Sequence, residues 1–200
     1  MGDETRERLG IFGGTFDPPH VGHLVAAVNA RHEARLDRVL LVVANEPWQK
    51  VGLRELTPAA DRLAMVEAAV EGVEGLEASD IEIRRGGASY TADTLAELHD
   101  EDPGRELFLI LGSDAAAGLS TWEGVEAVRD LATIVVIERP GAEGERPPVG
   151  FCHEVVTVPL LDVSSSDVRS RFADGRPLDY LLTRNVIDCI VDRGLYGARR

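Results

Sequence analysis

Leu9-Gly10-Ile11-Phe12-Gly13-Gly14-Thr15-Phe16-Asp17-Pro18-Pro19-His20-Val21-Gly22-His23 is the stretch on which the fold turns. Its first four residues form a short apolar run of strand character. From Val21 onward, Val21, Leu24, Val25 and Val28 recur at i, i+3, i+4 and i+7, which predicts one face of an amphipathic helix. Between them Gly13 and Gly14 turn the chain without a Cβ to obstruct a ligand, and Pro18-Pro19 cannot continue a strand. The segment therefore reads as strand, tight turn and helix N-terminus. That order aims unpaired N–H groups and the positive end of a helix dipole at one point, a ready site for phosphate. His20 and His23, three residues apart, share one side of the helix entry, where imidazoles can donate hydrogen bonds to phosphate oxygens.

Two hundred residues suit one α/β domain, placed at 9–200, behind a polar, frayed tail over 1–8. The formal net charge of −14 excludes a nucleic-acid binder, because no cluster of Lys and Arg offers a basic face. A polyphosphate site in such a chain must be made positive locally, which salt permits by screening exposed charges beyond about 8–10 Å. No apolar run approaches the roughly 20 residues of a membrane span, and the N-terminus has no signal-peptide core, so no membrane role and a cytoplasmic location are expected. Cys152 and Cys189 are too few for a disulfide framework, and Cys152-His153 has no second pair at ligand spacing, so no protein-held metal is expected. Cations are almost all arginine; Lys50 is the one lysine.

Beyond the first helix, Arg38 to Ala44 is an apolar run of the kind buried on both faces of a parallel sheet, ending in a loop that carries Trp48-Gln49-Lys50. Thr57-Pro58 reads as N-cap and first position of a second helix with Leu63, Val66 and Val70 inward. Ile81-Glu82-Ile83 is expected to end a third strand, and Thr91 to cap a third helix running to about Asp100. Strands are expected at Glu106–Leu111, Thr133–Ile137 and Glu154–Val158, with a helical stretch around Trp122–Leu131. Glu138 to Val149, rich in Gly, Pro and charge, reads as a mobile loop. Ser164 opens a serine-capped helix, and Asn185–Asp192 forms the last one, with Val186, Ile187, Ile190 and Val191 on one side. Alternating β and α elements with short connections predict a doubly wound parallel sheet, Rossmann-like, whose ligands bind beyond the carboxyl ends of the strands. Gly13, Lys50, Tyr90, Asp114 and Ser164 all fall just past strand ends and can converge on one crevice. The chain has no Gly-x-Gly-x-x-Gly after its first strand, no Walker A sequence and no His-Glu-x-x-His.

The stretch from Gly13 to His23 resembles the signature of the His-x-Gly-His nucleotidylyltransferase superfamily, and its Thr-Phe-Asp-Pro version is similar to the bacterial nicotinate-nucleotide adenylyltransferases. Three further segments carry the same resemblance: Ser164-Ser165-Ser166-x-x-Arg169, Ser89-Tyr90-Thr91-Ala92-Asp93-Thr94-Leu95, and Gly112-Ser113-Asp114 followed by Trp122. Ser166 stands where the family has Thr, Trp48-Gln49 where it has Pro-His, and Leu182-Thr183 where it has Val-Pro after the Tyr-Leu pair. The resemblance implies adenylyl transfer from ATP to nicotinate mononucleotide, giving deamido-NAD and pyrophosphate, with Mg²⁺ carried in on the triphosphate. It implies catalytic roles for His20, His23, Lys50 and Arg169, and nucleotide contacts from Gly13, Gly14, Thr15, Phe16, Ser164, Ser165 and Ser166. Tyr90, Thr91, Asp114 and Trp122 are implied to hold the mononucleotide. Arg139 falls in the family's Arg-Pro-Gly turn, with no role assigned. The alternatives are transfer to nicotinamide mononucleotide or phosphopantetheine, or a nucleotide-binding module without catalysis; a homo-oligomer is left open.

Overall fold

A computed structural model describes residues 6–47, 56–138, 144–159 and 161–198. Strands β1 (Arg8–Gly14), β2 (Arg38–Val43), β3 (Leu76–Ser79), β4 (Glu106–Gly112), β5 (Ala132–Glu138) and β6 (His153–Thr157) pair in the order β3-β2-β1-β4-β5-β6, all parallel. This is the expected doubly wound sheet. The chain builds outward from β1 to β3, then returns to add β4 on the other side, so the topological switch lies between β1 and β4, where such folds open a ligand crevice. The continuous apolar runs follow from burial on both faces. In β4, Leu107, Leu109 and Leu111 point to one core and Phe108 and Ile110 to the other.

Helices α1 (Val21–Glu33) and α2 (Ala59–Val70) cover one face of the sheet. The one-turn α3 (Ile81–Arg85), then α4 (Thr91–Glu101), α5 (Ser113–Ala117) and α6 (Val125–Leu131), lie on the other. The last pair, α7 (Ser165–Asp174) and α8 (Arg184–Arg193), packs outside α2, where Met65 and Ala69 meet Val168, Val186 and Ile190. Burying α2 on both sides in this way brings the start of α7 back to the crevice. Among the described residues no helix is long and apolar enough to cross a membrane.

Several expectations are corrected. Helix α1 turns Ala26, Ala27 and Ala30 inward, followed by Ala34, while Val28 is exposed and Val21, Leu24 and Val25 are half-buried. Small residues let this helix lie close on the sheet, and the bulkier stripe is left at the rim. Ile81-Glu82-Ile83 belongs to α3 rather than to a strand, with Leu76–Ser79 making the β3 ladder. Pro58, not Thr57, occupies the N-cap of α2; the Thr57 carbonyl is taken instead by Arg62 at 2.8 Å. Thr91 is the first residue of α4 and Tyr90 its cap position, with no side chain closing the first turn. Within the expected tail, Arg8 opens β1, and the Glu7 carboxylate takes Arg38 at 2.6 Å and Arg105 at 2.7 Å, which hold it below the usual carboxylate range. Residues 1–5 of the expected tail lie outside the described residues, as do Trp48-Gln49-Lys50, Arg139 and the 139–143 part of the Glu138–Val149 loop.

Candidate functional site

The turn after β1 is shaped by one bulky ring. Phe16 is 2% exposed with φ +49°, a backbone region that L residues rarely adopt, and its ring lies over Gly14. A Cβ on Gly14 would meet that ring at 2.7 Å, so this position must be glycine. Phe16 in turn stands edge-on to the His23 ring, centroids 5.0 Å apart. His20 and His23 stack at 3.8 Å. The His20 backbone N–H donates to His23 Nδ1 at 3.1 Å, which places the His23 ring proton on Nε2. Burial pushes His20 down to about 4, so it too is neutral here, and its Nδ1 is buried with no hydrogen-bond partner. Gly22 makes room for that ring, since a Cβ there would stand 3.0 Å from His20 Nδ1 and 3.1 Å from Val163.

Opposite α1 stands the start of α7. Ser164 caps it, accepting the Asp167 N–H at 3.2 Å, as expected from the sequence. Ser165 Oγ donates to the Pro18 carbonyl at 2.8 Å, and Arg169 donates from Nη1 to the Asp17 carbonyl at 2.6 Å and from Nη2 to Ser166 Oγ at 3.0 Å. Residues roughly 150 apart in the chain are thereby locked together. Gly14, Thr15, Phe16, His20, His23, Ser164, Ser165, Ser166 and Arg169 line one pocket.

Two further pockets adjoin it. One shares Gly14 and Thr15, includes Gly13, and has Tyr90, Thr91 and Trp122 on its walls above an apolar floor of Ile11, Val42, Leu109 and Leu111. The other shares His20 and His23 and holds Asp114 on the first turn of α5. Asp114 thus stands with the histidines and apart from Tyr90, Thr91 and Trp122, with which the resemblance grouped it. Lys50 falls outside the described residues. His32 and His153 are exposed, His99 lines none of these pockets, and both cysteines are free. Among the described residues no group of three His, Cys, Asp or Glu could hold a metal ion.

Sequence reasoning missed the residues that brace the crevice from beneath. Arg62, 1% exposed, donates to the carbonyls of Thr15, Ala44, Asn45 and Thr57 at 2.6–3.0 Å, tying the turns after β1 and β2 together. Its signal was an arginine set against the inward stripe of α2. Asn45 ties the turn after β2 to the loop before α4, its N–H donating to Ser89 Oγ at 2.8 Å and its side chain to the Gly87 carbonyl at 2.9 Å. Tyr196 reaches back from near the C-terminus to donate to Asp17 at 2.5 Å; burial, with the Asp17 carboxylate beside it, pushes its phenol well above the ordinary range.

The cytidylyltransferase-like family model matches residues 11–171. A probable nicotinate-nucleotide adenylyltransferase of Desulfitobacterium hafniense (strain Y51) is 43% identical, the match covering 95% of this chain and 96% of that protein. A protein of the same description from Corynebacterium kroppenstedtii is also 43% identical, over 94% and 90%. Among solved structures, the Plasmodium falciparum nicotinic acid mononucleotide adenylyltransferase complexed with NaAD superposes with a TM-score of 0.77 at 19% identity, over 97% of this chain and 99% of that one, a likeness of fold.

Proposed function

From a chain that belongs to the cytidylyltransferase-like family, and within it to the nicotinate-nucleotide adenylyltransferases, we infer the reaction: the adenylyl group of ATP is transferred to nicotinate mononucleotide, releasing pyrophosphate and giving deamido-NAD. One observation carries it to this molecule. The starts of α1 and α7 face one pocket, and that pocket opens at Gly14 and Thr15 into an apolar slot walled by an indole.

The mononucleotide phosphate attacks the α-phosphorus of ATP in line. With a second pKa near 6, as for other phosphomonoesters, it is largely ionised at neutral pH, so no general base is required. Catalysis is positioning and charge stabilisation. His23 donates from Nε2 to the α-phosphate. His20, neutral in the free protein, gains a proton more readily once phosphate charge is beside it. Arg169 and the hydroxyls of Ser164, Ser165 and Ser166 receive the departing pyrophosphate by exchanging their present protein contacts for phosphate oxygens, and Lys50 adds a second cation. The phosphate end is lined by hydroxyls, imidazoles, a guanidinium and one carboxylate, Asp17, which accepts the Tyr196 hydroxyl. With no three-ligand metal group among the described residues, Mg²⁺ would enter on the triphosphate oxygens of its substrate and would neutralise charge on the leaving group. Nicotinate binds with its ring against Trp122 and its carboxylate at the uncapped start of α4, beside Tyr90 and Thr91. Asp114, on the histidine side, holds sugar hydroxyls.

Pyrophosphate release by the purified protein with ATP and each of three acceptors tests the reading. Nicotinate mononucleotide should give the highest kcat/KM, ahead of nicotinamide mononucleotide and phosphopantetheine. Equal or greater use of another acceptor, or no release with any, would overturn it.

A further inference from the structure

The slot beside Trp122 contains a carboxylate that the reaction above leaves without a task. Glu82, on α3, lines it and is 7% exposed. Its Oε1 accepts the Thr94 hydroxyl at 2.8 Å. Arg85 donates to that same hydroxyl oxygen at 2.9 Å and spends its other nitrogen on Glu97 at 3.1 Å. A neutral hydroxyl therefore stands between Glu82 and the Arg85 guanidinium. Among the described residues no cation forms an ion pair with Glu82, and its second oxygen takes no hydrogen bond. A carboxylate buried above an apolar floor, its nearest cation held one hydroxyl away and shared with Glu97, is only partly compensated, and a cation entering the slot completes the compensation.

We propose that Glu82 is the counter-charge for the pyridinium ring of the acceptor nucleotide. This rests on the reading of the slot as the pyridine site. The ring nitrogen of an oxidised pyridine mononucleotide is quaternary: it carries positive charge but no N–H, so hydrogen bonds cannot recognise it. A carboxylate and an aromatic face can. Glu82 and Trp122 supply these two from the same pocket. The acceptor then meets complementary charge at both ends of its ring system, its carboxylate at the start of α4 and its ring at Glu82. The slot thereby favours the oxidised pyridinium over the uncharged dihydropyridine of the same shape.

Nicotinate mononucleotide and its 1,4-dihydro form should be compared as ligands by calorimetry, and as acceptors by pyrophosphate release, in the wild type, Glu82→Gln and Thr94→Val. Gln keeps an acceptor for the Thr94 hydroxyl and removes only the charge. It should weaken binding of the oxidised form about tenfold and lower the oxidised-to-reduced preference by the same factor. KM for ATP should move by less than about twofold. Thr94→Val breaks the hydroxyl contact, keeps the charge and should retain the preference. A Glu82→Gln protein with the wild-type preference, or a Thr94→Val protein that loses it equally, overturns the proposal. A wild type that binds the mononucleotide but releases no pyrophosphate sinks the reaction instead, since calorimetry reads the preference without turnover.

Discussion

Imidazoles stacked at 3.8 Å resist a second positive charge; burial holds His20 neutral, and the His20 backbone N–H occupies His23 Nδ1. The pH dependence of His20 can be given a sign. Its folded value, about 4, lies below the ordinary 6.5, so between those limits the unfolded chain binds more protons. Stability should therefore fall as pH drops from about 6.5 to about 4. Tm measured across that window at fixed ionic strength should fall less in His20→Asn; an unchanged slope would remove His20 as the cause. His23→Ala should cost on the order of 3–4 kcal/mol of transition-state stabilisation, a loss of 10²–10³ in kcat, by analogy with removing one preorganised oxyanion donor. Wild-type turnover in that variant would take the ring out of the mechanism. Gly22→Ala puts a Cβ 3.0 Å from His20 Nδ1 and should slow turnover at little cost in Tm, since the clash falls on a ring at the pocket wall. A variant with wild-type kcat would show that the tilt of His20 is immaterial.

At the scale of elements, what the sequence announces is what a local signal can encode. Gly-Gly followed by paired prolines marked the turn after β1, and Ser164 marked the start of α7 through a hydroxyl its own helix uses. The inward face of α1 was misread because two stripes of the same period run along it, and apolar bulk does not reveal which one packs. Three residues at 81–83 cannot separate a period of 2 from one of 3.6, so a one-turn helix passed for a strand. Arg62 was invisible as a brace because the turns it ties present backbone carbonyls to it, which no residue identity records. Replacing it with Met leaves those carbonyls in or near the core without their donor. The loss should be about 3 kcal/mol or more in chemical denaturation, at 1–3 kcal/mol for a buried polar group left unsatisfied. A shift under about 0.5 kcal/mol, the range of ordinary surface substitutions, would mean that water replaces the guanidinium.

Across the whole molecule, function depends on closure between the two ends of the chain. Ser165 to Pro18, Arg169 to Asp17 and Tyr196 to Asp17 span 147, 152 and 179 residues. No periodicity or cap predicts such contacts; only the joint presence of both motifs implied that they meet. The sheet makes the meeting possible, because packing α7 and α8 outside α2 returns the later motif to the earlier one. The acidic surface, net −14, then matters less than the local set of His20, His23, Arg169 and helix-start amides at the phosphate end. A crystal structure of the protein with deamido-NAD tests this arrangement most directly. The bridging phosphates should lie between the starts of α1 and α7, within hydrogen-bond reach of His23 and Arg169, and the pyridine ring between Trp122 and Glu82. Phosphates bound away from His23 and Arg169, or a pyridine ring outside the Tyr90–Trp122 slot, would contradict it.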